Sequence, residues 1–473
     1  MVTTAPDEEL AASVHQPTRR ASREFLLAFG AFALFTLLVL VRATTMLEPD
    51  DFAYRASIVA LRHGHILLSN AQYLTLEHQL ASTGGQGILQ WHHLASGQWI
   101  SEKNPGYPFF AVGFYALGLL RVAPLFYGAL ACVGLYAGAR AWLGRWAGTY
   151  AVWLYCFSGA ALTFAWRDTM PSFADASLIA AGAGALVWVM LRPGASARHR
   201  GVVGLGAFLA LEGAAFIRYT NVVELLVAVV AVIAFRRVAD LSWRLVGLWL
   251  TSGALFAAGV ASFNAWAYGS MTSSGYSAGE ISFSLSSLWP NLRHMPRYLT
   301  TSMPLWLFAA AALVVIAVRS TRARRRDDAH QRGLARRDLA VAVVLGVGWL
   351  TLWSLYLTYT WTASQFAHQG VGPGLGAGPG VAALTVHVIR FYLPALGIIT
   401  LLATWLLVRA PRAVACTLIA ALFVGALWSY QSMTSAKGVP SNGVPATGQL
   451  PGVGPGGPGP NAPSGAGPPG TGP

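Results

Sequence analysis

Three carboxylates, Glu48, Asp50 and Asp51, stand together in the stretch LEPDDFAYRASI at 47–58, straight after an apolar run. Pro49 suits the first position of a helix, where its missing N–H costs nothing. Asp50 and Asp51 then fall in the first turn, where the helix dipole favours anions. Phe52, Ala56 and Val59 recur at helical spacing. The stretch therefore predicts a short amphipathic helix on a membrane surface. A carboxylate at such a helix start, near lipid headgroups, stays ionised and can take a proton from an incoming hydroxyl. The plainer alternative is that these acids cap and solubilise the helix.

A second group follows in SEKNPGYPFF at 101–110, where Glu102 and Lys103 precede a Pro-punctuated aromatic segment. A lysine at headgroup level is commonly an interfacial anchor. It is also the counter-charge that a lipid-linked phosphate or diphosphate needs.

The elements that must hold these residues are set by composition. Of 473 residues, 55% are hydrophobic and only 11% charged, so the chain is an all-α polytopic membrane protein. The net charge of +14 does not point to nucleic acid, because the basic residues sit between apolar runs and not on a basic-aromatic face. Cys132, Cys156 and Cys416 lie in apolar runs and read as small buried hydrophobes. Apolar runs near 25–45, 122–142, 146–165, 173–191, 201–217, 220–235, 243–267, 303–318, 339–360, 389–408 and 412–428 predict about eleven spanning helices. Tyr107–Leu120 is shorter. If it does not cross, most of the 32 Lys and Arg residues fall on one side. The positive-inside rule then puts the N-terminus in the cytoplasm and the C-terminus outside a multi-pass plasma-membrane protein.

This topology divides the chain into a cytoplasmic segment 1–24, a transmembrane domain 25–429 and a Pro/Gly-rich tail 430–473 that cannot fold alone. The first outer loop, about 47–121, carries interfacial helices and both charged groups. WRDTMP at 166–171 and YGSMTSSGY at 268–276 fall on the same side. Glu212 and Glu224 lie in spans, where a charge needs a partner, and Arg218 is available to either. His63, His65, His78, His92 and His93 crowd the first loop without the spacing of a known ligand set.

The order of these motifs resembles the GT-C superfamily of integral-membrane glycosyltransferases, closest to the protein O-mannosyltransferases and lipid A aminoarabinose transferases. PDDFAY before EKNP is similar to their first outer loop. RVAPLFYGALACVGLYAGARAWLG at 121–144, WRDTMPSF, FNAWAYGSMTSSGY and RFYLPALGIITLLA at 390–403 resemble later segments in the same order. The resemblance implies Asp50 as general base with Asp51 beside it, and Glu102 and Lys103 at the sugar and phosphate. It implies Arg390 as a donor-phosphate ligand. Tyr54, Arg167 and Arg218 are further pocket candidates, with pairing to Asp168 or capping of the span end the plainer reading of Arg167. Asn104 stands where the family has its first Pro, and STGGQGILQWHH at 82–93 looks inserted.

The expected activity is transfer of a sugar from a polyprenyl-phosphate donor to an extracytoplasmic hydroxyl on protein, lipid or cell-wall glycan. A single carboxylate base attacks in line and inverts the anomeric centre; double displacement needs a second carboxylate close by. Neighbouring helix residues diverge by about 100°, which favours inversion. No metal ligand is assigned, though the acids leave a divalent cation open as a cofactor. The expected partners are the donor, membrane lipids and the acceptor. A lipid-linked-sugar flippase or transporter is the alternative, and it requires no loop acid.

Overall fold

The computed structural model describes residues 18–44, 49–81, 90–192, 194–276, 281–325, 328–367 and 381–435. Glu48, most of the inserted stretch and the tail beyond Ser435 lie outside them. The chain begins with α1 (Thr18–Val41). The first loop then folds as α2 (Pro49–Arg62), α3 (Asn70–Ala81), a hairpin of β1 (Trp91–His93) and β2 (Trp99–Ser101), and α4 (Gly106–Ala116). The bundle continues with α5 (Ala123–Leu143), α6 (Ala147–Cys156), α7 (Gly159–Trp166), α8 (Ser172–Leu191), α9 (Ala197–Ile217), α10 (Val222–Ala234) and α11 (Trp243–Tyr268). It closes with α12 (Leu288–Ser302), α13 (Leu305–Arg324), α14 (Ala329–Leu357), α15 (Thr360–Ala367), α16 (Val381–Ile389), α17 (Leu396–Leu407) and α18 (Arg412–Ser435).

Among the described residues eight helices are long and apolar enough to cross a membrane: α1, α5, α8, α9, α11, α13, α14 and α18. The protein is a multi-pass, all-α membrane protein. The other three expected spans occur as apolar helix but depart from a full crossing. Tyr219–Ala234 and Leu393–Leu407 are short. The run at 146–165 breaks at Phe157 and Ser158, where Ser158 is extended and its Oγ lies 3.3 Å from the Ser302 carbonyl. Helices α7 and α17 are almost wholly enclosed by other helices and need not match the bilayer's thickness, whereas α10 exposes Val222, Leu226, Val230 and Ile233. Helix α4, with 11 residues, extends only about 16 Å and is too short to cross. The last helix runs to Ser435, beyond the expected start of the tail.

Apolar residues such as Phe25, Phe29 and Leu37 on α1, Leu255 on α11 and Val314 on α13 are exposed, as a lipid-facing surface requires. Inside, α5 and α8 approach so closely that a Cβ on Gly138 would overlap the backbone of Gly184. Small residues allow that approach, and lipid supplies no hydrophobic drive to replace it. Cys132 and Cys156 are buried with sulfurs 3.5 Å apart, whereas Cys416, expected to be buried, is exposed on α18.

The amphipathic helix expected from Pro49 is present as α2, but its apolar face does not lie bare on lipid. Ile58 joins the main core, and Ala56 and Ala60 pack with Leu68, Tyr73, Leu76, Leu80 and Trp91 in a small core belonging to the loop. Tyr73 stacks on Trp99 at 4.0 Å, fastening α3 to the hairpin. The loop is therefore a folded cap with its own hydrophobic centre, rigid enough to aim side chains at the bundle.

Candidate active site

Asp50 and Asp51 both occupy the first turn of α2. Their side chains leave the helix about 100° apart, and each meets different cations.

Asp50 Oδ1 is 3.1 Å from Lys103 Nζ, and Oδ2 is 2.7 Å from Arg390 Nη1. The Gln90 side chain also hydrogen-bonds this carboxylate. Lys103 comes from the segment between β2 and α4, Arg390 from the turn after α16. Lys103 Nζ donates to Tyr276 Oη at 3.3 Å and lies 4.9 Å from the centre of its ring. Tyr276 reaches this point because Gly275 lets the loop after α11 lie against the chain at Glu102; a Cβ there would come within 2.5 Å of the Glu102 carbonyl oxygen. The Arg390 guanidinium rests over Trp361 and Phe391 at 5.1 and 4.8 Å. Burial acts to raise the Asp50 pKa, but Lys103 and Arg390 outweigh it and hold the carboxyl well below the usual carboxylate range. Tyr54 is buried one helical turn on. Burial pushes its hydroxyl far up, and Tyr276, Lys103, Asp50 and Arg218 are all near enough to act on it. These residues form one buried cluster.

Asp51, expected beside Asp50 as a second catalytic acid, has different surroundings. Its Oδ2 lies 2.5 Å from Arg167 Nη2, and Oδ1 accepts the Thr169 hydroxyl at 2.9 Å. Both charged side chains are fully enclosed. Arg167, expected to pair with Asp168 or to line the pocket, belongs to this closed contact. Arg167 and Thr169 stand in the turn between α7 and α8, so the pair clamps the start of α2 onto the bundle. Tyr107 strengthens the clamp by donating to the Asp168 carbonyl.

Glu102, expected at the sugar and phosphate, lies against the hairpin. Its carboxylate is 3.7 Å from His92 Nε2, and its backbone N–H donates to the Gln90 carbonyl at 2.9 Å, so it braces the hairpin next to Lys103. Arg218 pairs with neither Glu212 nor Glu224. Its Nε is 3.3 Å from Asp175 Oδ2, Nη2 donates to Ser172 Oγ at 3.1 Å, and Nη1 donates to the Arg390 carbonyl at 2.9 Å. Arg218 thus supports the turn that presents Arg390. Glu212 accepts the Ser252 hydroxyl at 2.8 Å.

Sequence reasoning passed over Asp175, Gln90 and the role of Tyr276. Asp175 had a signal: a lone acid in an apolar run, SFADAS, needs a partner by default. Gln90 had none. Among the described residues no group of three or more His, Cys, Asp or Glu side chains could hold a metal ion. Asp50 is held by two cations and Asp51 by one, so this pair of carboxylates does not fit a divalent cation.

No protein-family model matches the sequence, and no curated protein matches it. Solved structures do. The apo oligosaccharyltransferase of Archaeoglobus fulgidus aligns over 89% of this chain and 57% of its own, at 11% identity and a TM-score of 0.52. The chain shares the fold of that protein's membrane-spanning helices only at the level of architecture. ArnT from Cupriavidus metallidurans aligns in its apo state over 85% of this chain and 63% of its own, at 14% identity and a TM-score of 0.49. The same protein bound to undecaprenyl phosphate gives 16% and 0.48. The chain spans roughly three-fifths of the length of these proteins.

Proposed function

We propose that the protein is a membrane glycosyltransferase that moves a sugar from a polyprenyl-phosphate donor to an acceptor hydroxyl on the outer side of the plasma membrane. The observation that carries this reading is Asp50 held between Lys103 and Arg390 where the first loop meets the bundle. Sugar transfer from a lipid phosphate needs a base for the acceptor and cations for the departing phosphate. All three are present, on segments far apart in the chain. The fold shared with an archaeal oligosaccharyltransferase supports sugar transfer as the reaction class.

In the resting site the base and the cations neutralise one another, and a carboxylate so stabilised is a poor proton acceptor. The donor phosphate brings an anion that competes for Lys103 and Arg390. As they turn to the phosphate, Asp50 recovers ordinary basicity beside the acceptor. The acceptor oxygen then bonds to the anomeric carbon as its proton passes to Asp50. The bond from that carbon to the phosphate oxygen breaks, and its electron pair leaves on the polyprenyl phosphate. Asp51 is engaged by Arg167 and Thr169, and Glu102 lies against His92, so neither is free to act as a nucleophile. Inversion is the stereochemistry this supports. Binding the donor also commits the base, which suppresses proton transfer in its absence.

Membranes carrying wild type or Asp50→Asn, given a panel of radiolabelled polyprenyl-phosphate sugars, test the proposal. Wild type transfers label and folded Asp50→Asn does not. Equal transfer by both would remove Asp50 as base, and no transfer from any donor would remove the enzyme reading.

A further inference from the structure

The end of the bundle away from Asp50 holds a second charged cavity, of about 350 Å³, between α13, α14 and α17. Arg390 and Trp405 stand at opposite ends of the α17 region, about 22 Å apart along the helix axis, so the two sites are separate. Arg319, Arg322 and Arg409 line this cavity with Gln331, while Ile316 and Leu334 supply an apolar wall. Arg319 and Arg322, three apart on α13, share a helix face.

Asp338 is the acid among the lining residues, and both of its oxygens are already engaged. Oδ1 accepts Trp142 Nε1 at 2.9 Å; Oδ2 accepts Trp405 Nε1 at 2.9 Å and Arg409 Nη2 at 2.8 Å. The Arg409 guanidinium lies 3.9 Å from the centre of the Trp405 ring, and Arg319 stands over the same ring at 5.8 Å. Among the described residues neither Arg319 nor Arg322 has an acidic partner. Burial lowers the pKa of Arg409, Asp338 opposes this, and the nearby Arg319 lowers it further. The cavity therefore carries more positive charge than its acid balances. The indole N–H groups fix Asp338, and Asp338 fixes Arg409, so part of the cation set is preorganised.

We propose that this cavity binds a phosphate-bearing anion, with Arg319 and Arg322 as the forked donors, Arg409 behind them and the apolar wall against the rest of the ligand. Guanidinium groups match phosphate oxygens in pairs, and basic pockets between helices at a membrane face suit anionic headgroups. The phosphate can come from an anionic lipid of the leaflet opposite the Asp50 site or from free phosphate in solution. The inference does not depend on the sugar-transfer reading.

The test is the thermal stabilisation of the detergent-purified full chain by short-chain phosphatidylglycerol, short-chain phosphatidylcholine and inorganic phosphate. Saturable stabilisation by phosphatidylglycerol is expected, and Arg319→Ala with Arg322→Ala should weaken it about tenfold or more. Arg319→Lys with Arg322→Lys should keep much of it. Arg198→Ala, an exposed arginine at the same end but outside the cavity, should leave it unchanged. Gln331→Glu adds an acid to the wall without removing a cation, and should weaken binding even if the double alanine variant does not fold. Inorganic phosphate competing at comparable concentration assigns the site to free phosphate; phosphatidylglycerol binding that phosphate does not displace assigns it to lipid. Binding untouched by both the alanine pair and Gln331→Glu, equal loss in Arg198→Ala, or no preference over phosphatidylcholine together with no phosphate binding, overturns the proposal.

Discussion

Asp50 and Asp51 are adjacent in the chain, have the same side chain and share one helical turn, yet their surroundings differ completely. Asp51 faces inward to Arg167 in a contact with no exposed side-chain surface. Asp50 is 18% exposed and faces Lys103 and Arg390, which are themselves nearly buried. The charged partner of Asp51 is closed in with it, and the Thr169 hydroxyl holds its other oxygen. Asp50 keeps a margin open to solvent. Exposure of the carboxylate, more than the type of the acid, separates the two.

The sharpest way to break this comparison is to neutralise each acid in turn. Asp50→Asn should lower transfer about a thousandfold, the usual scale of a lost general base, while the protein still folds. Detergent-solubilised yield and label transfer measure the two effects separately. Asp51→Asn should do the reverse. It leaves Arg167 buried without a counter-charge, which costs about 3–5 kcal/mol and shows as lost yield and lowered Tm. An inactive but well-folded Asp51→Asn would reverse the two assignments.

Arg390→Ala and Lys103→Ala should each weaken donor binding by about ten- to a hundredfold, read as a raised donor KM, because each removes a charge-assisted contact to phosphate. The pH dependence should separate free and donor-bound enzyme. In the resting protein the cations hold the Asp50 pKa down, so the ion pair is fully stabilising above the ordinary carboxylate pKa. That contribution is lost only as the pH falls through the lowered folded value. With donor bound, the cations are engaged, and burial then acts on the carboxyl with less opposition and raises its pKa. The acid limb of kcat should therefore lie above that of kcat/KM. Coincident limbs would mean that the donor leaves the Asp50 pair intact. The smallest effect is expected from Tyr276→Phe, which removes the hydroxyl that accepts a long hydrogen bond from the Lys103 ammonium and should cost about three- to tenfold in donor affinity.

Much of the fold was legible because it rests on local rules. The eleven apolar runs all became helix, and the start of α2 fell at Pro49 with both acids in its first turn. The misread segments depart from one continuous spanning helix: Ser158 breaks a run that hydropathy treats as continuous, and Tyr219–Ala234 is short. In the site, Asp50, Lys103 and Arg390 were recognisable by type and order. Asp51, Glu102, Arg167 and Arg218 were recognisable as charges needing partners, but the partners assigned to Arg167 and Arg218 were wrong. Arg167 reaches a carboxylate 116 residues away, and Arg218 one in a separate helix.

By itself the sequence determined an all-helical membrane chain with a charged first loop, because apolar length and helical period act over neighbouring residues. It also determined that adjacent acids must point apart. Only the tertiary structure decided which acid would be closed in and which left open. That choice depends on Asp50 meeting an arginine 340 residues further on, and such a meeting is set by how the helices and the loop core pack.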